Sequence, residues 1–227
     1  MLTINRKLVL KPFVFIIVLL FLSLHSFSWI YHNHGEEGYA DDGGGSADSY
    51  ISGSPISNYI MEGAGYFLEG YADVLLLLNR FEMSDLKGID YNEVKQISDR
   101  ALYNIKNTCV IYDSLIAMAE RTPYNKAFLE KLACFDYESF RDDNHLNRDV
   151  FKEVETFLSK GEITGTFKQS REVFNLISVF LNSIKDNIDA EKMPPLSKLW
   201  KLNQLYAGEL LFGQYTAQVY YTIKNND

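Results

Sequence analysis

The chain has 227 residues, a formal net charge of −8 and 47 % hydrophobic residues. That suits one ordinary domain plus a leader, with a sizeable core. The negative charge and the lack of a basic stripe argue against nucleic-acid binding, because a phosphate backbone would be repelled.

Arg6, Lys7 and Lys11 precede an uncharged run, Pro12 to Tyr31, whose centre reads FVFIIVLLFL. A helix of that length rises about 30 Å, enough to span a bilayer. Residues 1–31 are therefore expected to be a signal peptide or an N-terminal membrane anchor, with Trp29 and Tyr31 at the far interface. Ser26-Phe27-Ser28 has the small-x-small form of a cleavage site, so cleavage and anchoring both stay open. The positive-inside rule places the N-terminus in the cytoplasm and the remainder outside it, periplasmic or extracellular. If uncleaved, residues 12–31 tether the protein to the membrane. Removal of residues 1–28 takes Arg6, Lys7 and Lys11 away and moves the net charge from −8 to −11.

Residues 32–53 are rich in Gly, Ser and acids and are expected to form a flexible acidic linker. Asp41, Asp42 and Asp48 lack the ligand spacing of an EF-hand loop. Residues 54–227 are expected to form a helical bundle domain.

Ser54-Pro55 opens the first predicted helix, which runs to about Met83. Ile60, Ala64, Phe67, Tyr71, Val74, Leu78 and Phe81 form its apolar face, and Glu62, Glu69, Asp73 and Arg80 a narrow opposite stripe. Asp90 to Glu93 reads as a capping box for a second helix, with Val94, Ile97, Ala101, Ile105, Cys109, Tyr112, Ile116 and Ala119 on one face. It stops at Thr122-Pro123. Short helices are expected over Tyr124 to about Phe135 and over Arg148 to Lys160, the latter stopped by Gly161. The intervening Asp136–Asp149 is mostly polar. Thr166 to Gln169 reads as another capping box. The helix after it carries Phe167, Phe174, Ile177, Leu181, Ile184 and Ile188 in heptad register, broken only by Ser170. Pro194-Pro195 starts a last helix reaching about Asn225, apolar on nearly every side. The expected fold is all-α: a four-helix bundle of long helices, with a connector carrying two short helices between the second and third.

Cys109 and Cys134 lie equally far from the turn at Thr122-Pro123. If the flanking arms fold back antiparallel, the sulfurs come level, and a structural disulfide is expected in an exported protein. Small residues cluster in the first helix (Gly63, Gly65, Gly70, Ala72) and the last (Ala207, Gly208, Gly213, Ala217). The expected reason is close approach of two neighbouring helices, the alternative being room for a ligand. Glu209 interrupts the apolar series Leu202, Leu205, Phe212, Val219, Ile223. It is expected on a solvent strip beside Lys201; the alternative is burial with a raised pKa, next to a tyrosine such as Tyr71, Tyr112, Tyr206 or Tyr215. Tyr71, Tyr112, Tyr206 and Glu209 are the candidate ligand-binding residues.

No metal site, cofactor or catalytic residue is expected. The histidines are His25, His32, His34 and His145, none inside a predicted long helix, so no Glu-x-x-His pair of a di-iron bundle forms. His32, His34 and Glu36, or Asp142, Asp143 and His145, read as solvated loops rather than metal ligands. No Gly-x-Ser-x-Gly elbow, HExxH or P-loop occurs. In architecture alone, a leader followed by a helical bundle is similar to the extracytoplasmic sensing bundles of bacterial chemoreceptors. This sequence departs from them in showing no second span and no signalling domain, so transmission across a membrane by this chain alone is not expected. The leading expectation is an exported, non-enzymatic binding or interaction protein that engages a protein partner or a small apolar ligand. The rivals are an enzyme using a buried Glu209 with tyrosines, and a structural accessory subunit of an envelope complex.

Overall fold

Four helix starts are marked by an Asp or Asn whose side chain accepts from first-turn backbone N–H groups: Asp90, Asn125, Asp136 and Asn147. Such caps satisfy donors that a helix leaves orphaned. The computed structural model describes residues 55–83, 88–122 and 124–225. Among the described residues there are seven helices and no strand: α1 (Pro55–Glu82), α2 (Tyr91–Arg121), α3 (Lys126–Ala133), α4 (Tyr137–Asp143), α5 (Arg148–Leu158), α6 (Ile163–Asp189) and α7 (Leu196–Asn225). The expected leader, linker and Ser54 cap lie outside the described residues. Among those described, no helix is long and apolar enough to cross a membrane.

The fold is all-helical, as expected, and three local readings are corrected. The connector between α2 and α6 carries three short helices, not two, because Asp136 caps a helix inside the polar stretch by accepting from Ser139 N–H. Thr166 is not a cap. The helix already starts at Ile163, and the Thr166 hydroxyl donates back to the Ile163 carbonyl. Asp90 does cap α2, but Glu93 turns away from it to accept from Arg80 of α1 at 2.6 Å.

Long helices pack in pairs: α1 on α2, α2 on α6, α6 on α7, and α7 back on α1. Their inward faces make the first core, from Phe67, Val74 and Leu77 through Ile105 to Ile177, Leu181, Leu202 and Tyr206. Ion pairs seal its rim, with Arg171 forking onto both oxygens of Asp113 and Lys185 reaching Asp99. Asp73, expected on the solvent stripe of α1, is buried and held by Arg100 of α2 at 2.7 Å.

The second core is built on the far half of α7. Phe212, Tyr215, Val219 and Ile223 meet Leu132 of α3, Tyr137 of α4, and Phe151, Val154 and Leu158 of α5. Two tyrosines satisfy backbone there: the Tyr137 hydroxyl donates to the Leu132 carbonyl, and that of Tyr215 accepts from Asn147 N–H. Gly161 turns the chain into α6 at φ 69°, a left-handed conformation that glycine adopts freely. At Gly165 a Cβ would stand 2.8 Å from the Phe157 ring, so glycine lets α5 close onto α6.

The expected disulfide is absent, and both cysteines are free. Cys109 is buried in the first core, while Cys134 is exposed at the end of α3. The chain does not fold back as a hairpin after Thr122. Instead α3 packs on α7.

Candidate functional site

Glu209 is the feature around which the candidate site is built. It follows Leu199, Leu202 and Tyr206 along the α7 stripe that faces the first core. Only 7 % of it is exposed, so its expected place on a solvent strip is corrected. Burial pushes its carboxyl up to about 8, and the charge of Glu153 on α5 adds to the rise. Ser170, facing it from α6, donates its hydroxyl and pulls the other way. Ser170 was the one break in the α6 heptads, and it is buried. The two polar interruptions in otherwise apolar stripes thus meet, which satisfies both.

An aromatic cluster continues from this carboxyl through the first core. Tyr206 stacks on Tyr71 at 5.2 Å between centroids and packs on Phe67 at 4.9 Å. Phe67 meets Phe174 at 5.4 Å, and Tyr112 lies edge-on to Phe174 at 4.7 Å. Four helices therefore contribute rings to one cluster, with offset and edge-on geometries that aromatic quadrupoles favour. The four candidate residues fall together. Tyr71 and Tyr206 are in direct contact, and Tyr112 is joined to them through Phe174 and Phe67. Phe67, Phe174 and Ser170 complete the cluster. They were not singled out from sequence as site residues, although the Ser170 break was a usable signal.

The hydroxyls differ in their partners. Tyr71 donates to the side-chain oxygen of Asn203 at 3.0 Å. Tyr206 is fully buried and its hydroxyl has no hydrogen-bond partner. That hydroxyl stands 3.0 Å from where a Cβ on Gly70 would be, so Gly70 makes the space it occupies. Burial holds the Tyr206 phenol well above its ordinary range, with the charges of Asp73 and Cys109 adding to the effect. For Tyr112, burial comes first and Glu209 second. Tyr71 is raised by burial alone. The phenols therefore stay neutral across the physiological range, and Glu209 is the group of this cluster poised near neutrality. It can hold a proton, donate it in a hydrogen bond, or release it at a cost in desolvation.

The small residues of α1 and α7 do not pair as expected. Gly63 faces Tyr112 and Ile111 of α2, and Gly70 faces Tyr206 and Asn104. Gly65, Gly208 and Gly213 face open space. Asp142, Asp143 and His145 lie exposed at the end of α4.

Compared with known proteins, the chain matches no family model, no curated protein and no solved structure. Any functional reading rests on the site itself.

Proposed function

We propose that this chain is an exported, non-enzymatic interaction protein, in which α1, α2, α6 and α7 form a four-helix bundle and α3–α5 close one end of it. Residues 1–31 serve as its signal peptide or membrane anchor, and residues 32–53 as the acidic linker that joins it to the bundle. A protein partner is favoured over a small apolar ligand. The first core packs its own rings beside Val74, Leu77, Ile105, Ile177 and Leu181, all fully buried, which supports that preference.

One observation carries this reading: large apolar side chains remain on the outside of the bundle. Leu176 and Val179, three residues apart on α6, are 51 % and 65 % exposed, and Tyr103 and Val110 stand two turns apart on α2 at 61 % and 63 %. Residues at these spacings share a helix face. Exposed apolar positions clustered in this way mark interaction surfaces. The test is native mass spectrometry of the protein isolated from its own host, wild type beside Leu176→Asp/Val179→Asp. A co-purifying subunit lost in the double variant supports the reading. A bare chain in both overturns it, and a retained small molecule transfers the assignment to a ligand.

A second reading, an enzyme using Glu209, draws support from its carboxyl being raised to about 8. Under that reading Glu209→Gln abolishes turnover of a substrate while leaving partner binding intact.

A further inference from the structure

The ion pairs of the bundle are not spread evenly over it. Arg80–Glu93 and Arg100–Asp73 join α1 to α2, and Arg171–Asp113, Lys185–Asp99 and Lys168–Glu120 join α6 to α2. Among the described residues no ion pair reaches α7 between Leu196 and Ile223. From Leu202 to Ile223 the one charged side chain is Glu209, and it is buried. α6 is also without charge from Val173 to Ile184. The bundle is therefore sealed by charge around α2 and nearly bare of it around α7.

Large apolar side chains come to the surface on the bare side. Leu176 stands two turns before Ser183, which accepts from Lys198 of α7, so it lies on the α7 flank of α6 with exposed Val179 one turn on. Trp200, 47 % exposed, comes just before Asn203, which accepts from Tyr71 of α1. On α1, exposed Ala72 and Leu76 lie on the side turned away from Gly63, which faces α2.

Charge selects what can cover this side. The chain carries a net −8. A basic partner would find no exposed acid to pair with on α7 or on this stretch of α6. An anionic lipid surface repels an acidic chain. A second copy repels the first wherever charges face each other, and least where neither carries any.

The polar groups left on α7 suit a second copy as well. Gln204 and Gln218 lie seven residues either side of half-buried Leu211, along one side of the helix. Turned end for end about Leu211, α7 of one copy brings its Gln204 level with Gln218 of the other, and the reverse. An amide both donates and accepts, so identical side chains can pair across a twofold axis where like charges cannot. The Gln218 Oε1 atom is buried with no donor in the single chain, and a turn of the side chain toward a facing amide would satisfy it.

We propose that the partner is a second copy of this chain, seated antiparallel across the α7 side of the bundle about Leu211. This rests on the reading of the chain as an interaction protein and names its partner.

The test is native mass spectrometry and sedimentation of the full chain, expressed in a foreign host that exports it and holds none of its natural neighbours. A dimer is expected. Gln204→Glu/Gln218→Glu sets like charges opposite one another and should weaken that dimer by at least about tenfold, as should Gln204→Lys/Gln218→Lys. Mixing the two variants should restore dimers that hold one copy of each. Tyr103→Asp/Val110→Asp, on α2, should leave the dimer intact. If the seam variants lose the helical circular dichroism of the wild type, Gln204→Cys/Gln218→Cys in a Cys134→Ser background supplies the check. Within one chain those two positions stand about 21 Å apart along α7, too far to bond, so oxidation should link two copies. A monomer at every concentration, a dimer indifferent to the seam variants, variants that do not mix, or cysteines that stay reduced would overturn the proposal. A monomer here, beside a different subunit on the host-isolated protein that is lost in Leu176→Asp/Val179→Asp, would remove the second copy and leave the interaction reading standing.

Discussion

The first core is assembled from helices of 27 to 31 residues, the second from helices of 7 to 11 residues laid on the end of α7. A long helix can hold many of its own hydrogen bonds and repeat an apolar stripe over several turns. An isolated helix of 7 to 11 residues is not stable in water. α3, α4 and α5 therefore depend on their Asx caps and on α7 to form at all. The long helices meet one another around a closed circuit of contacts, whereas the short ones reach the rest mainly through α7 and the start of α6. Dependence runs one way, from the second core to the first.

The largest expected effect breaks this comparison at its centre. Phe174→Ala in the first core and Phe151→Ala in the second each remove a ring that is 1 % exposed, worth about 3–5 kcal/mol. Phe174→Ala should lower the unfolding midpoint of every helix. Phe151→Ala should release α3–α5 while α1 and α2 keep their protection. Residue-resolved hydrogen exchange distinguishes the two, and identical patterns would mean one cooperative unit.

A pH titration of stability sharpens the same contrast. Glu209 has a folded carboxyl raised to about 8 against an ordinary value of 4.5. The folded state holds the proton more tightly than the unfolded state, so the stability this group contributes is greatest below about pH 4.5, falls as pH rises to about 8, and then levels. Urea unfolding of wild type against Glu209→Gln should show a gap that widens over that window to a few kcal/mol, on the order of 1.4 kcal/mol per pH unit.

Smaller effects follow from single positions. Gly70→Ala should destabilise by about 1–3 kcal/mol, because Tyr206 is held between Tyr71 and Phe67 and cannot retreat from a new methyl group. Asn147→Ala removes the cap of α5, and about 1 kcal/mol should be lost from the second core alone. Gly213→Ala has open space and should stabilise α7 by about 0.5–1 kcal/mol. Denaturant midpoints check all three, and a destabilising Gly213→Ala would overturn the reading that this position has room for a side chain.

The same contrast governs how much was legible in the sequence. The long helices follow from their periodicity and caps, and their observed limits lie close to the expected ones. Glu209 and Ser170 each stood out as a polar break in an apolar stripe. Their meeting was not readable, because it depends on the rotation of α7 against α6. α4 was hidden because Tyr137, Phe140 and their neighbours span too few turns to show a period. The Cys109–Cys134 pairing failed for a related reason. Equal distance from a turn implies contact only if the chain doubles back there, and the apolar surface of α7 drew α3 elsewhere. Asp73 was misplaced because a charge on a helix reads as exposed until a neighbour such as Arg100 covers it.

The sharing of α7 by both cores also bears on how the chain acquires its structure. α7 follows the other described helices in the chain, and its contact with α1 joins Tyr71 to Asn203 across 132 positions of sequence. Neither core can close until that late segment emerges, and bringing such distant segments together is the slow step in folding.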